Sequence, residues 1–420
     1  MRLPLFIALL VVFPACAQQA APETLTVEQA VAEALQKNLS LMAERANIGI
    51  ADARILTARL RPNPVLSLAS DHLDLLGTRF DENNGAGPTE SSLRTDFVLE
   101  RGGKRRSRID AAEGARSVAQ LAFLDAARIT VLNVQNACVE VMSAKDGLAL
   151  ARENLATLNR LVEINTVRVK AGDIAEVELI RSRVAALQFA NSVRRAELAL
   201  RSASTRLKTL LSRRGASGMI DIAGGLRRNG PLLTYAQLKE SALADRPDLQ
   251  ALRRDQSRAA AELRLQMAHS KVDYTLGTEY RRQQGVNGKG NSLGFFFSAD
   301  LPVFNRNQGE IQRARQEQGQ IEIRVRALAA AIEDELETAH SQFQTSRELL
   351  EQIEGTMLAQ ARDVREITEF SYQRGDASLL ALLDAQRAFN ETMEAYNEAR
   401  AEYAKSLYLL DAVSGKAVNP

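Results

Sequence analysis

The sequence contains few of the residues from which most enzymes and disulfide-stabilised proteins are built. Tryptophan is absent, aromatic residues make up 5%, and the 420 residues include two cysteines and three histidines. His72, His269 and His340 show no metal-ligand spacing, and no zinc-protease, nucleophile-elbow or phosphate-loop motif is present. We therefore predict a protein that is not an enzyme and that has no cofactor and no metal site.

The two cysteines exclude an intrachain disulfide in the mature chain. A basic residue, an apolar stretch over residues 3–13 and the small residues around Cys16 predict an export signal over residues 1–17. Two processing routes remain open: ordinary cleavage before Gln18, or lipidation of Cys16. Cys138 is then the remaining thiol, and its position in a heptad-patterned helix predicts a buried, inert side chain.

Neither charge sign dominates the chain, which has 54 basic and 52 acidic residues. A nucleic-acid-binding domain would carry a basic stripe, whereas the densest basic run here, over residues 104–108, is interpreted as the solvated start of a helix. Beyond the leader there is no run of 18 or more apolar residues, so we predict no transmembrane helix. An exported chain of this kind is either soluble outside the inner membrane or a β-barrel in an outer membrane.

Long heptad repeats are the dominant feature, and they predict long helices packed as coiled coils. Apolar residues recur every seven positions before Gly375, and a second periodic run follows that glycine. The first arm, over about residues 308–375, is roughly 100 Å long at 1.5 Å per residue. Its repeat positions are Leu336, Phe343, Leu350, Met357 and Val364, and the second run contains Phe389, Met393, Tyr396, Tyr403, Leu407 and Leu410.

The chain carries this plan twice. Residues 25–26 recur as residues 233–234, and the turn at Gly172 recurs at Gly375, with offsets of 208 and 203 residues. A helix break near Asn38 likewise recurs near residues 245–248. We predict a first repeat over 18–213 with long helices at about 105–170 and 174–211, an aperiodic connector over 214–232, and a second repeat over 233–415 with long helices at about 306–373 and 377–413.

Each repeat also contains a pair of strand-like segments with an exposed loop between them. The strands are predicted at about 65–70, 93–100, 272–281 and 292–301, and the loops at 71–92 and 281–292. About nine residues are enough to cross a membrane when tilted, and Tyr274, Tyr280 and the run 295–297 are predicted as interfacial aromatics. Four strands cannot close a barrel, so strands in a membrane require at least two copies, and three copies give twelve strands and a passage.

Several motifs at the strand–helix junctions resemble those of the outer membrane efflux protein family, of which TolC is the type. They are Arg61-Pro62-Asn63-Pro64 before the first strand, the run 301–309 after the last strand, and the run 372–387 through the second hairpin turn. The resemblance covers nearly all of the mature chain. Within the family, Gly103-Lys104-Arg105 and residues 305–309 are similar to the cobalt–zinc–cadmium (CzcC-type) efflux branch.

The resemblance implies a mainly α fold with a membrane β-barrel portion, formed by a tandem-duplicated chain. Four strands and two long helical hairpins per chain build a homotrimer, with a twelve-stranded barrel in outer-membrane lipid and a helical tube in the periplasm. It also implies two protein partners: a periplasmic adaptor (membrane fusion) protein and an inner-membrane resistance-nodulation-division pump. The chain itself is then a passive exit duct, and the pump selects the cargo. The similarity to the CzcC-type branch leads us to expect heavy-metal cations.

The functional residues expected on this basis lie at and near the two hairpin turns. Asp384 matches a pore-facing aspartate of the family's periplasmic constriction, Ala381 replaces the companion aspartate, and Glu178 occupies the equivalent position in the first repeat. Asp384 is alternatively a solvated charge or an ion-pair partner, and the turns are alternatively no more than turns. The expected adaptor contacts are Lys170, Gly172, Asp173, Arg374, Gly375, Asp376 and Ser378.

Two other functions fit parts of the pattern. A duct of the same build serves drug efflux or type I protein secretion, because the pump selects the cargo. A soluble periplasmic coiled-coil scaffold or adaptor explains the helices but leaves the paired strands and their loops without a purpose.

Overall fold

A computed structural model describes residues 23–73, 75–77, 89–213, 218–230, 234–285 and 288–416. The signal segment and Cys16 lie outside these residues. The elements are β1 (Glu23–Leu25), α1 (Val27–Lys37), α2 (Leu39–Arg59), β2 (Val65–Asp71), β3 (Glu90–Leu99), α3 (Lys104–Ala171), α4 (Glu176–Leu210), β4 (Ile220–Ile222), α5 (Tyr235–Asp245), α6 (Pro247–His269), β5 (Tyr274–Gly285), β6 (Gly288–Ala299), α7 (Gln308–Gln352), a π-helical segment (Ile353–Met357), α8 (Leu358–Arg374) and α9 (Leu379–Val413).

The chain forms two compact units, and each takes residues from both halves of the sequence. Unit 1 comprises residues 1–38, 130–231 and 341–409, and unit 2 comprises 39–129, 232–340 and 410–420. The compact units therefore do not coincide with the two sequence repeats. The repeat boundaries at 18–213, 214–232 and 233–415 stay a prediction.

The starts of α1 and α5 show the internal repetition most clearly. Thr26 Oγ1 accepts from the Gln29 amide at 3.2 Å, while Gln29 Oε1 accepts from the Thr26 amide at 2.9 Å. Thr234 and Gln237 form the same reciprocal pair at 3.5 and 2.9 Å. Both pairs are capping boxes, which satisfy two of the amides that a helix start leaves free.

The predicted connector contains a strand that the sequence did not reveal. β4 pairs in parallel with β1, and the Ala223 amide donates to Leu25 O at 2.8 Å. Ile220 and Ile222 are buried in the core of unit 1. This strand was not predicted, because three residues are too few to show a period and their partner strand is distant in sequence.

The core of unit 1 gathers apolar side chains from α1, α3, α4, β4 and α9. Its buried members are Ala30, Ala34, Val134, Ala137, Cys138, Val139, Val141, Met142, Leu207, Leu211, Ile220, Ile222, Ala401, Ala404 and Tyr408. Cys138 is fully buried, and burial raises its pKa to about 12. The prediction of a buried thiol is confirmed, and its lack of reactivity stays a prediction.

The second helical hairpin departs from the predicted heptad at one place. Leu350 and Ile353 are buried, but Met357 and Val364 are 41% and 53% exposed. The π-helical segment Ile353–Met357 adds one residue to the turn, so the inward positions move from 357 and 364 to Leu358 and Arg365. The prediction that Met357 and Val364 lie in the seam is wrong for this reason.

The facing arm of that hairpin, α9, has no π-helical segment. The chain advances 22 residues from Leu350 to Tyr372, whereas α9 advances 21 residues from Leu382 to Tyr403. Leu350 and Tyr403 are members of one cluster of unit 1, and Tyr372 and Leu382 are members of another. We interpret the π-helical segment as the place where the longer arm accommodates one additional residue.

Unit 2 contains an antiparallel sheet with the strand order β2-β3-β5-β6. Arg281 pairs with Ser292, and the β5–β6 ladder continues to Gly285 and Gly288. The predicted exposed loop over 281–292 is therefore wrong for most of its length, and β3 likewise begins at Glu90, inside the predicted loop 71–92. Polar side chains do not prevent strand pairing, because the hydrogen bonds of the ladder are formed by backbone groups.

A buried ion-pair network stabilises unit 2 at the break between α5 and α6. Arg246 is 3% exposed and donates to Asp248 Oδ2 and Glu335 Oε2, each at 2.6 Å. Burial by itself raises the pKa of Asp248, but the bonds from Arg246 outweigh it and hold that pKa below the ordinary value of 3.8. At the corresponding break after α1, Asn38 occupies the position that Arg246 has after α5. Its Nδ2 donates to Leu210 O at 2.8 Å.

Candidate functional site

The four-stranded sheet has one continuous apolar face. Residues directly opposite each other on neighbouring strands share a face, so the ladder registers divide the side chains into rows. The apolar rows are Leu99–Tyr274–Ala299, then Phe97–Leu276–Phe297, then Leu66–Thr95–Thr278–Phe295, and then Leu68–Leu93–Tyr280–Leu293. Every Leu and Phe in these rows is at least 44% exposed, so the described part of the protein leaves this face uncovered.

The opposite face is polar and charged. Arg94 donates to both oxygens of Asp96 at 2.9–3.0 Å, and its guanidinium lies 4.2 Å from the centre of the Phe296 ring. Arg281 donates to Glu279 at 2.9 Å, and Glu279 is 6% exposed. A sheet with lipid on one side and water on the other requires this division.

Phe296 therefore does not belong with the interfacial aromatics. Phe295 and Phe297 are on the apolar face, but alternation turns Phe296 to the polar face, where it covers Arg94 and Gly294. Tyr274 and Tyr280 lie in the first and last apolar rows. The prediction for the run 295–297 is thus wrong for its middle residue.

Gly277 makes room for the arginine–aspartate pair on the polar face. A Cβ atom at this position would lie 2.3 Å from Asp96 Oδ1 and 3.4 Å from Arg94 Nε. No side chain fits there without moving the carboxylate.

The two hairpin turns have the same backbone structure. Gly172 and Gly375 adopt left-handed conformations with φ of 83° and 86°. The Asp173 amide donates to Arg168 O, and the Asp376 amide donates to Ser371 O, each at 2.9 Å. These bonds end both helices in the way that glycine permits.

The predicted adaptor-contacting residues are exposed at these two turns. Ser378 Oγ caps α9 by accepting from the Ala381 amide at 3.2 Å, and the Arg374 guanidinium covers the Phe370 ring at 4.2 Å. The exposed positions are Lys170, Gly172, Asp173, Arg374, Gly375, Asp376 and Ser378. Their role in adaptor contact stays a prediction.

The two predicted constriction residues differ in their surroundings. The Asp384 side chain is 61% exposed and approaches Arg387, one turn along α9, at 3.9 Å. Glu178 is half-buried in the first turn of α4. An exposed pair of this kind contributes little to stability, so Asp384 remains available to a pathway or a partner.

A line of buried polar side chains between α3 and the second hairpin was not predicted. The Tyr372 hydroxyl donates to Asn165 Oδ1 at 2.8 Å, and Gln386 Nε2 donates to Asn154 Oδ1 at 3.3 Å. Burial raises the pKa of Tyr372. Buried polar pairs fix the register of neighbouring helices at a cost in stability. The asparagines within the heptad-patterned helix α3 were the available signal.

Helix α3 is the one helix in the described part of the chain with the length and composition of a membrane span. Its most apolar 18-residue window has a mean hydropathy of 1.2. At 68 residues, however, α3 is more than three times as long as a span requires. Val134, Cys138 and Val141 of this helix are buried in the core of unit 1, whereas 17% of the apolar window is buried within the described chain.

No group of three or more His, Cys, Asp or Glu side chains comes together as a metal site among the described residues. The charged groups of the polar sheet face are instead paired with each other. The arrangement is suited to lining a water-filled path, since conduction requires that ions are not held tightly.

Comparison with known proteins gives a consistent result. The sequence profile of the family described as "Outer membrane efflux protein" matches residues 30–213 and 238–416. The cobalt-zinc-cadmium resistance protein CzcC of Cupriavidus metallidurans is 24% identical over 392 residues, which cover 93% of this chain and 90% of CzcC. Nodulation protein T of Rhizobium leguminosarum bv. trifolii is 23% identical, with coverage of 93% and 85%.

A solved structure shows the same fold. The channel CusC, studied for its folding and transmembrane channel formation, superposes with a TM-score of 0.76 at 17% identity. The superposition covers 98% of this chain and 99% of CusC.

Proposed function

Because the chain belongs to the outer membrane efflux protein family, we propose that it is the exit duct of a tripartite efflux system. The family resemblance seen in the sequence motifs is confirmed, and the protein is located in the outer membrane. Its fold is that of the TolC-like channels. The alternative of a soluble periplasmic scaffold is thereby excluded.

The observation that carries the proposal is the two-faced sheet. Its apolar face faces lipid, and its polar face, with the Arg94–Asp96 and Arg281–Glu279 pairs, lines the aqueous path. The edge strands β2 and β6 have unpaired backbone groups, which lipid does not tolerate. In the proposed homotrimer, β2 of one copy pairs with β6 of the next, and twelve strands close the barrel.

The periplasmic end of the proposed duct is formed by the helical hairpins. Asp384 and Glu178 supply negative charge to the constriction, and the two glycine turns contact the periplasmic adaptor protein. An inner-membrane resistance-nodulation-division pump provides the energy, and the chain itself has no catalytic role. A ring of carboxylates favours cations over anions.

The proposed cargo is a heavy-metal cation. Similarity to CzcC, a protein named for cobalt, zinc and cadmium resistance, supports this assignment. The alternative is a duct for drug efflux or type I protein secretion.

Planar-bilayer recording tests the duct and its constriction together. We expect single-channel conductance from the purified protein, and Asp384→Asn should move the reversal potential in a salt gradient toward zero. Glu394→Gln, at an exposed position on another face of α9, is the matched control. Absence of conductance would reject the duct, whereas conductance with unchanged selectivity in Asp384→Asn would reject only the constriction.

A deletion strain tests the cargo. We expect it to become more sensitive to cobalt, zinc or cadmium salts, and the wild-type gene should restore resistance. Unchanged metal sensitivity together with increased sensitivity to dyes or detergents would favour the drug-efflux alternative.

A further inference from the structure

The apolar face of the sheet is too short to cover the lipid layer by itself. Its four rows span six residue steps, from Leu99 to Leu93 on β3, which is about 20 Å along the strand at ~3.4 Å per residue. With the usual tilt of 35–45°, this corresponds to roughly 15 Å along the membrane normal, against an apolar band about 25 Å tall. Apolar contact with lipid must therefore continue beyond the strands at one end.

At the end farther from the long helices, the next row of the sheet is polar, and beyond it Leu73, Leu75 and Leu76 are 53%, 85% and 91% exposed. The next row there is Ser70–Ser91–Arg282–Asn291. The Ser70 and Ser91 hydroxyls are 3.1 Å apart, and the Tyr280 hydroxyl donates to Asn291 at 2.9 Å. This row separates the apolar rows of the sheet from the leucines beyond it.

The other end, where β6 runs into the turn before α7, continues to be apolar. Leu301, Val303 and Phe304 are 77%, 60% and 91% exposed. Their backbone is held in place, since the Val303 amide donates to Leu301 O at 2.8 Å and Asn307 Nδ2 donates to Gln266 O at 2.8 Å. Three large apolar side chains are thus presented outward from a fixed turn.

Cations surround this turn. The four chain segments at this end of the sheet carry more basic than acidic residues. Glu100 and Asp273 are paired with Arg108 and Lys104, and Asp300 is exposed. The exposed cations are Arg61, Arg101, Arg105, Arg106, Lys271 and Arg306. An apolar group with cations beside it matches the boundary between acyl chains and phosphate headgroups.

We propose that Leu301, Val303 and Phe304 form a lipid anchor at the periplasmic boundary of the outer membrane, and that the surrounding cations bind the phosphates of anionic phospholipids. The anchor completes the apolar band that the strands leave short. It fixes the depth at which the sheet sits in the membrane. This inference rests on the proposed function, because it requires the sheet to be in lipid.

The absence of tryptophan from the chain makes a direct test possible. Phe304→Trp gives a single fluorophore in the full-length protein, reconstituted in phosphatidylcholine vesicles with or without phosphatidylglycerol. Phe97→Trp, in an apolar row of the sheet, is the positive control, and Ile323→Trp, exposed on α7, is the negative control. Spin-labelled lipids with the label near the headgroup or deep in the acyl chain report the depth of each indole.

We expect Phe304→Trp to be quenched about twofold more strongly by the shallow label than by the deep one, as befits an aromatic ring at the headgroup level. Quenching of Phe97→Trp with no quenching of Phe304→Trp would overturn the anchor and leave the duct intact. Equal quenching of Phe304→Trp by both labels would also overturn it. No quenching of either variant would reject the duct and the anchor together.

Arg306→Gln in the Phe304→Trp background tests the phosphate contact. We expect this change to reduce shallow quenching in vesicles with phosphatidylglycerol and to have no effect in phosphatidylcholine alone. Identical quenching in both compositions would overturn the role of the cations.

Discussion

Deletion of Gly355 should leave the second hairpin intact or make it more stable. The π-helical segment Ile353–Met357 contains this glycine and one residue more than a regular helix would need. Without it, both arms between the two packing clusters have 21 residues, and Leu358, Arg365 and Tyr372 remain on the inward face of a continuous α-helix. Removing a glycine from a helix interior should stabilise the helix by roughly 1 kcal/mol. The midpoint temperature of thermal unfolding should therefore rise slightly.

Deletion of Glu391 from α9 is the matched control. This residue is exposed. After its deletion, α9 advances 20 residues from Leu382 to Tyr403, whereas the facing arm advances 22 from Leu350 to Tyr372. The deletion also rotates the neighbouring part of α9 by about 100°. Two buried leucines, Leu379 and Leu382, would leave their cluster, at roughly 2 kcal/mol or more each. The expected loss is therefore about 4 kcal/mol.

Thermal unfolding of the detergent-solubilised protein, followed by circular dichroism at 222 nm, separates the two deletions. Relative to the wild-type protein, we expect the midpoint temperature to rise or to stay unchanged for the Gly355 deletion and to fall for the Glu391 deletion. Equal destabilisation by both would refute the view that the π-helical segment aligns two arms of unequal length.

Three further outcomes follow from the described contacts. Gly277→Ala should lower the thermal midpoint, by roughly 1–3 kcal/mol of stability, because its Cβ displaces a carboxylate, whereas Gly290→Ala, which meets open space, should not. Arg246→Met should cost roughly 3 kcal/mol at neutral pH. Because the pKa of Asp248 is lowered in the folded protein, the stabilisation that its ionised carboxylate contributes is present above the ordinary value of 3.8 and is lost as the pH falls through the folded pKa. The difference in unfolding free energy between wild type and Arg246→Met, measured by denaturation, should therefore shrink as the pH falls across that range. Cys138 should react with a maleimide at least roughly a thousandfold more slowly in the folded than in the unfolded protein, and rapid labelling of the folded chain would contradict its burial.

Local sequence signals predicted the elements that depend on local chemistry. The glycines at 172 and 375 were expected to end helices, and both adopt left-handed conformations there. The helix break near Asn38 and its counterpart near residue 246 are also present. These features could be predicted because the residues that cause them are neighbours in sequence.

Features that depend on distant partners could not be predicted in the same way. Met357 and Leu358 are both apolar, so the sequence allows either residue to lie on the inward face of the helix. The π-helical segment, which local sequence does not reveal, places Leu358 there. The ends of the strands are polar, and their pairing follows from backbone contacts that side-chain alternation does not report. The asparagines at 154 and 165 have partners more than 200 residues away in the sequence.

The candidate site was predictable to a similar degree. The family motifs directed attention to the hairpin turns, and the turns are exposed as expected. The division of the sheet into apolar and polar faces needed the register, since a shift of one residue would exchange the two faces. Phe296 illustrates the point, because composition alone grouped it with its two neighbours.

The core of unit 1 has a consequence for biogenesis. Ala30 and Ala34 pack in the same cluster as Ala404 and Tyr408, so the first and last helices of the described chain meet in one core. Because polypeptides emerge from a translocon N-terminus first, this core cannot close until almost the whole chain has been delivered. Contacts at such sequence separation form slowly, and the waiting chain exposes apolar strands and helices. The N-terminal helix must therefore wait, without its packing partners, until the last helix has been delivered.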